Sequence, residues 1–148
     1  MQKKKQIAVL GYGVVGSRCR GTVLSESRKI EKNTGYSMDI KYILDLRTFE
    51  GDPYADKVVH DINVILQDPE VGYVAECMGG VNPAFEFVSS CLKAGKSVST
   101  SNKQLVAEKR GRSCCKLQRK TNCNFFFEAS VGGAIPIIAS LHTCLAAK

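Results

Sequence analysis

Four consecutive apolar residues, Ile7, Ala8, Val9 and Leu10, run directly into three glycines, Gly11, Gly13 and Gly16, spaced G-x-G-x-x-G. No other feature limits the fold as strongly. An apolar run of this length predicts a strand buried on both faces, as in a parallel sheet. The chain must then turn sharply, and Gly11 supplies a residue free of Cβ constraints for that turn. Gly13 lets a pyrophosphate come against bare backbone, and Gly16 lets the following helix lie close on the strand. That helix points its unpaired N–H groups and the positive end of its dipole at the same place. Strand, glycine turn and helix in this order predict a dinucleotide-binding βα unit.

The totals fit such a unit. The 148 residues are one domain's worth of chain, enough to bury a core without metal or disulfide staples. A hydrophobic share of 44% with 24% charged residues excludes a disordered chain. The net charge of +7 gathers in residues 3–5 and 109–120 instead of forming one stripe. With no aromatic interleaving and no nucleic-acid motif, it suits a protein of small anions, and no nucleic-acid partner is expected. Seven cysteines are odd in number, irregular in spacing and free of any C-x-x-C pattern, which predicts reduced thiols in a reducing compartment. Cys19, Cys77 and Cys91 lie in apolar segments and read as buried thiols, while the adjacent Cys114 and Cys115 fall on a helix with no metal assigned. The lysines and apolar residues at the start resemble a signal peptide, but three glycines break the apolar part and no cleavage site follows. Nothing reaches the length of a membrane span, so a cytoplasmic protein without membrane partners is expected.

Along the chain, Val15, Cys19 and Val23 give a helix one apolar face, and Asn33 and Gly35 mark its end. Residues 38–46 read as the second strand, bringing Asp45 to the place where a dinucleotide fold reads the ribose. Asp45 favours NAD, whereas Arg47 could greet the 2′-phosphate of NADP; the two could equally form a solvated pair at the strand end. A helix is expected from Asp61, with Ile62, Ile65 and Leu66 inward. Residues 71–78 form another buried strand that delivers Gly79 and Gly80 to the carboxyl edge of the sheet, the ligand-binding edge of doubly wound folds. Asn82 is positioned to cap the next helix with Pro83 at its first residue, Phe85, Val88 and Leu92 inward and Gly95 as its stop. A strand at 96–100 exits into Ser101, Asn102 and Lys103. Residues 105–118 read as one helix with a solvated basic face, 125–127 as a strand, and 137–147 as a final helix. Alternating strands and helices predict an α/β fold, doubly wound on a mainly parallel sheet.

Four separated segments, GYGVVG, AECMGGVNPA, STSNKQLVAE and FFFEASVGGAIPIIASLHTCLAA, occur in that order. Together they closely resemble homoserine dehydrogenase over nearly the whole chain. The resemblance implies a Rossmann-like NAD(P)-binding domain over residues 1–127 and the start of a substrate and dimerisation domain at 128–148. It implies reversible hydride transfer between L-homoserine and NAD(P), giving L-aspartate 4-semialdehyde. Gly11, Tyr12, Gly13, Val14, Val15 and Gly16 match the cofactor turn, with Asp45, Arg47 and Gly79 completing the nucleotide site. Lys103 matches the family lysine where nicotinamide and substrate meet; a lysine there can hold the substrate oxygen and move a proton. Glu128, Val131, Gly133 and Ile135 match a monovalent-cation site, usually sodium, built from one carboxylate and backbone carbonyls. Glu128 could instead cap a helix while the glycines turn the chain.

The resemblance also implies what is missing. The family's second catalytic lysine, the acidic residues that hold the substrate amino group and most of the homodimer domain have no counterpart here. An incomplete, catalytically crippled chain is therefore expected, its last helix presenting an apolar face. The alternative is a non-catalytic dinucleotide-binding or sensor module.

Overall fold

The structure, a computed structural model, describes residues 3–108, 110–133 and 135–146. Lys109 of the basic run, Ala134 of the glycine-bearing turn and Ala147 of the final helix lie outside the described residues.

The first strand, β1 (Lys3–Leu10), leads through the glycine turn into α1 (Val14–Thr34), then β2 (Tyr36–Leu44) and the short β3 (Val58–Val59). The chain continues through α2 (Ile62–Gln67), β4 (Val71–Glu76), α3 (Ala84–Lys93) and β5 (Ser97–Thr100). It closes with α4 (Lys103–Ala107), α5 (Arg110–Thr121), β6 (Phe125–Phe126), α6 (Glu128–Gly132) and α7 (Ile137–Ala146). The six strands pair in the order β3-β2-β1-β4-β5-β6, every pair parallel. The strand order reverses between β1 and β4, the point where a doubly wound sheet opens a crevice at its carboxyl edge.

Strand geometry sends alternate residues of β1 to opposite faces, and both faces are covered. Ile7 and Val9 pack with Ile40, Ile43, Tyr12 and the Val23 side chain of α1. Ala8 and Leu10 pack on the other side with Val74 and Val98, under Ile65 of α2, Val88 and Leu92 of α3 and Cys114 of α5. The α1 face is only half covered: over β4, β5 and β6 it leaves Tyr73, Ser99 and Phe126 exposed, Phe126 at 53%. In α7 no residue is buried, and Leu141 and Leu145 face solvent. Among the described residues, no helix is long and apolar enough to cross a membrane.

Several expected boundaries shift for local reasons. Gly35 ends α1 as expected, in the left-handed conformation with its N–H on the Glu31 carbonyl, but Asn33 lies inside the helix. Val15 is exposed at the helix start, because the inward-facing stripe passes through Gly16, Cys19 and Val23 instead. Strand β2 stops at Leu44, leaving Asp45 just beyond it. Asp61 caps α2 through a side-chain bond from the Asn63 N–H. Pro83, expected as the first residue of α3, holds its cap position instead, and the Phe85 N–H donates to the Val81 carbonyl at 2.8 Å. The single helix expected at 105–118 is two, α4 and α5, parted at Glu108, which is extended at φ −68°, ψ 150°. Phe127 has left the strand to precede α6, a helix that the turn residues did not announce.

Candidate dinucleotide-binding cleft

The glycine turn is built as its residues require. Gly11 has φ +87°, where a side chain is strained, and a Cβ there would lie 3.2 Å from the Met78 nitrogen. A Cβ on Gly16 would lie 2.0 Å from the Gly11 carbonyl oxygen, so α1 sits as close to the turn as backbone permits. Gly13 differs: a Cβ there would meet nothing within 4 Å, leaving bare backbone open to a ligand. Gly13 precedes α1, whose N-terminus has no side-chain cap and no acidic residue in its first turn. A long helix ending this way offers its N–H groups and dipole to an anion. The residues present therefore fit a dinucleotide pyrophosphate.

Above the turn lies a cleft of about 450 Å³, lined on one side by Gly11, Tyr12 and Gly13, and by Asp45 and Arg47. Cys77, Met78 and Gly79 form the opposite wall. Hydrogen bonds carry the sheet into both walls, from the Gly11 N–H to the Leu44 carbonyl at 2.8 Å and from the Cys77 N–H to the Leu10 carbonyl at 2.9 Å. Asp45 takes the Tyr12 N–H at 2.8 Å and the Arg47 N–H at 3.0 Å. The Arg47 guanidinium adds two parallel bonds, Nε to Oδ1 and Nη2 to Oδ2, each 3.0 Å. This fork holds the Asp45 carboxyl well below the usual carboxylate range, against the opposing effect of burial. The Arg47 side chain remains 62% exposed and lies over the Phe49 ring. The Tyr12 ring turns into the core, edge-on to Phe49 at 5.0 Å, so the turn uses its backbone more than its side chain.

Six of the residues expected at the nucleotide site thus meet in one cleft: Gly11, Tyr12, Gly13, Asp45, Arg47 and Gly79. Val14 and Val15 stand exposed at the start of α1, and Gly16 packs beneath the turn. Lys103 does not line the cleft; it is the exposed first residue of α4 at the exit of β5. Asn102, just before it, accepts the Leu105 N–H at 3.1 Å and donates to the Gly80 carbonyl, holding this exit against the Gly79–Gly80 loop. At the chain's far end, Glu128 accepts the N–H groups of Ile138 at 2.8 Å and Ala139 at 3.1 Å, which caps α7. Val131, Gly133 and Ile135 lie on α6 and the turn that follows it. Among the described residues, no three His, Cys, Asp or Glu side chains gather into a metal site.

Sequence reasoning passed over two neighbours of the cleft. His60 donates from Nδ1 to the Asp45 carbonyl at 2.7 Å, and it is carried there by β3, too short to read from two valines. Glu76, wholly buried at the end of β4, accepts the Met78 N–H at 2.7 Å and the Thr100 hydroxyl. A carboxylate ending an apolar strand was its available signal. Burial raises the Glu76 carboxyl above its ordinary value of 4.5, with the Thr100 and Met78 bonds opposing. The folded chain thus binds this proton more tightly than the unfolded chain does, and stability falls as pH rises above that value. Asp45, shifted the other way, contributes stability that is lost only as pH falls below its ordinary 3.8, outside this window. Urea midpoints measured from about pH 4.5 to 6.5 should decline for the natural chain and stay flat for Glu76→Gln. An unchanged slope in the variant would rule out Glu76 as its source.

Known proteins match most of the chain. The family model for the NAD-binding domain of homoserine dehydrogenase matches residues 11–128. Homoserine dehydrogenase of Lactococcus lactis is 33% identical over 140 residues, covering 91% of this chain and 32% of its own. The crystal structure of a homoserine dehydrogenase from Thiobacillus denitrificans superposes with a TM-score of 0.86 at 28% identity, over 98% of this chain and 34% of that one. A hyperthermophilic archaeal homoserine dehydrogenase in complex with NADPH shares the fold, with a TM-score of 0.76 at 21% identity over 93% of this chain and 48% of its own. The chain spans about a third of the length of the curated relatives it matches.

Proposed function

Because the chain belongs to the homoserine dehydrogenase family, matching its NAD-binding domain, we propose that it binds NADP or NAD in the cleft above the glycine turn. In that reading it serves reversible hydride transfer between L-homoserine and L-aspartate 4-semialdehyde, within a site completed by residues beyond these. One observation carries the proposal: the uncapped N-terminus of α1 and the Asp45–Arg47 pair open onto a single cleft. The bound nicotinamide supplies the hydride acceptor. Gly13 and the start of α1 hold the pyrophosphate, and Arg47 holds the adenosine end. The Asp45 carboxylate is already engaged by Tyr12 and three Arg47 bonds, which leaves the ribose hydroxyl of NAD a poor claim on it. The exposed guanidinium suits the 2′-phosphate of NADP. Lys103 would hold the substrate oxygen at the exit of β5 and take part in proton transfer.

Within this reading the nucleotide domain runs to residue 127. Glu128, with the carbonyl oxygens of Val131, Gly133 and Ile135, would hold a monovalent cation, an all-oxygen set suited to a hard ion. The Glu128 oxygens each keep further lone pairs beyond the α7 cap, so the two roles are compatible. A second reading, a binding module without chemistry, draws on Lys103 lying outside the cleft's lining.

Titration with NADPH and NADH, followed by homoserine-dependent NADPH formation, tests both. NADPH is expected to bind about tenfold or more tightly than NADH, one charge-assisted contact's worth. Arg47→Ala should remove the preference. In an assembly that turns over, Lys103→Ala should stop turnover and spare nucleotide affinity. Failure to bind either nucleotide would overturn the proposal; binding without turnover would favour the module.

A further inference from the structure

Two of the cysteines stand apart from the rest. Cys19, in the second turn of α1, and Cys77, the first residue past β4, are both half-buried with their sulfurs 3.7 Å apart. Cys91, Cys114 and Cys123 are buried. Cys77 also lines the cleft, and its carbonyl carbon lies 3.3 Å from where a Cβ on Gly11 would stand. The pair therefore sits directly behind the glycine turn. It bridges the helix that faces the pyrophosphate and the strand end that forms the opposite wall.

We propose that Cys19 and Cys77 form a reversible oxidation site, closed to a disulfide by a peroxide, and that this bond and a bound dinucleotide oppose one another. The opposition rests on the function proposed above; the disulfide does not. The hydrogen bond between the two sulfurs lowers Cys19 to about 7, which supplies the thiolate near neutral pH. The same hydrogen bond, with burial, holds Cys77 protonated. The Cys19 thiolate attacks one oxygen of hydrogen peroxide, the O–O bond breaks, and a sulfenic acid and hydroxide result. The Cys77 sulfur then attacks the Cys19 sulfur, the S–O bond breaks, and the hydroxyl leaves as water with the Cys77 proton. The first hydroxide recovers the proton that Cys19 had released. In sum two thiols and one peroxide give one disulfide and two waters, with two electrons passing from sulfur to peroxide.

Closure must draw the sulfurs from 3.7 Å to about 2.05 Å. Helix α1 has no slack toward the turn, because Gly16 already packs on the Gly11 carbonyl. The displacement then falls on the wall formed by Cys77, Met78 and Gly79, which a dinucleotide would touch. By linkage, whatever the bond takes from nucleotide affinity, the nucleotide takes from bond formation.

The test treats the 148-residue chain with a slight molar excess of hydrogen peroxide, with and without saturating NADPH, and maps the peptides by mass spectrometry. The expected product is a peptide joining Cys19 to Cys77, reversed by dithiothreitol, absent in Cys19→Ser and slower to form with NADPH present. NADPH affinity of the oxidised chain should fall about tenfold, and Cys19→Ser should keep its affinity through the same treatment. Oxidation of other thiols with no Cys19–Cys77 peptide would overturn the site. A cross-link indifferent to NADPH, with unchanged affinity, would overturn the opposition. A chain that cross-links yet binds no NADPH in either form would overturn the proposed function and uphold the disulfide.

Discussion

Gly16→Ala is expected to destabilise the chain by about 3 kcal/mol or more, the upper range for forcing a group into filled space, and to end dinucleotide binding. The added methyl would stand 2.0 Å from the Gly11 carbonyl oxygen and 3.0 Å from its carbon, both backbone atoms with nowhere to go. Helix α1 would have to lift from β1, moving its N-terminus away from the cleft. Gly13→Ala makes the informative contrast. A methyl there meets nothing within 4 Å, so the fold should be spared while the ligand's space is taken. Urea unfolding with NADPH titration separates the two: Gly16→Ala should lose both stability and binding, Gly13→Ala binding alone. A Gly16→Ala chain as stable as the natural one would show that the turn does not seat α1 as described.

The second large effect lies away from the cleft. Lys96 is 4% exposed, and its ammonium donates to the Asp68 carbonyl at 2.7 Å and the Val71 carbonyl at 2.9 Å. It reaches from just before β5 to the segment that starts β4, pinning two neighbouring strands at their amino ends. Burial lowers its pKa, yet the two carbonyls give the charge a place to go. Lys96→Ala removes both bonds and leaves the buried Val71 carbonyl short of a donor, a loss of about 3 kcal/mol. Lys96→Met keeps most of the aliphatic stem and should lose nearly as much, since the donors and not the packing are at issue. A loss below about 0.5 kcal/mol in both variants, within the usual range for surface changes, would overturn this assignment.

The sequence and the structure agree where chemistry is local. Ile7 to Leu10 could be read as a strand buried on both faces, and the left-handed turn at Gly11, the open backbone at Gly13 and the close packing at Gly16 are what their spacing announces. The mainly parallel sheet expected from the alternation of apolar strands with longer helical patterns is parallel at every described pair. Asp45 and Arg47 were legible as a pair at the end of the second strand, including their pairing with each other. What stayed hidden depended on distant partners. The two valines of β3 have no pattern of their own; they become a strand only by lying beside Ile43 and Leu44. Cys19 and Cys77 are 58 positions apart, and only the seating of α1 beside the end of β4 brings their sulfurs together. The reading of both as ordinary buried thiols gives way to a half-buried pair. The break at Glu108 was masked because the basic residues on either side suit a helix equally well.

The strand order also sets a schedule for synthesis. Of the six described strands β1 is synthesised first yet becomes a central one, and its two neighbours are β2, which begins at residue 36, and β4, which ends at residue 76. Synthesis must therefore pass residue 76 before β1 has both hydrogen-bonding edges satisfied. Until then Ile7 to Leu10 is a short apolar segment of the kind that pairs with a neighbouring nascent chain. The three lysines at positions 3–5 stand immediately before it, where repulsion between copies holds such segments apart. These three charges thus have work to do early, while the sheet is still open.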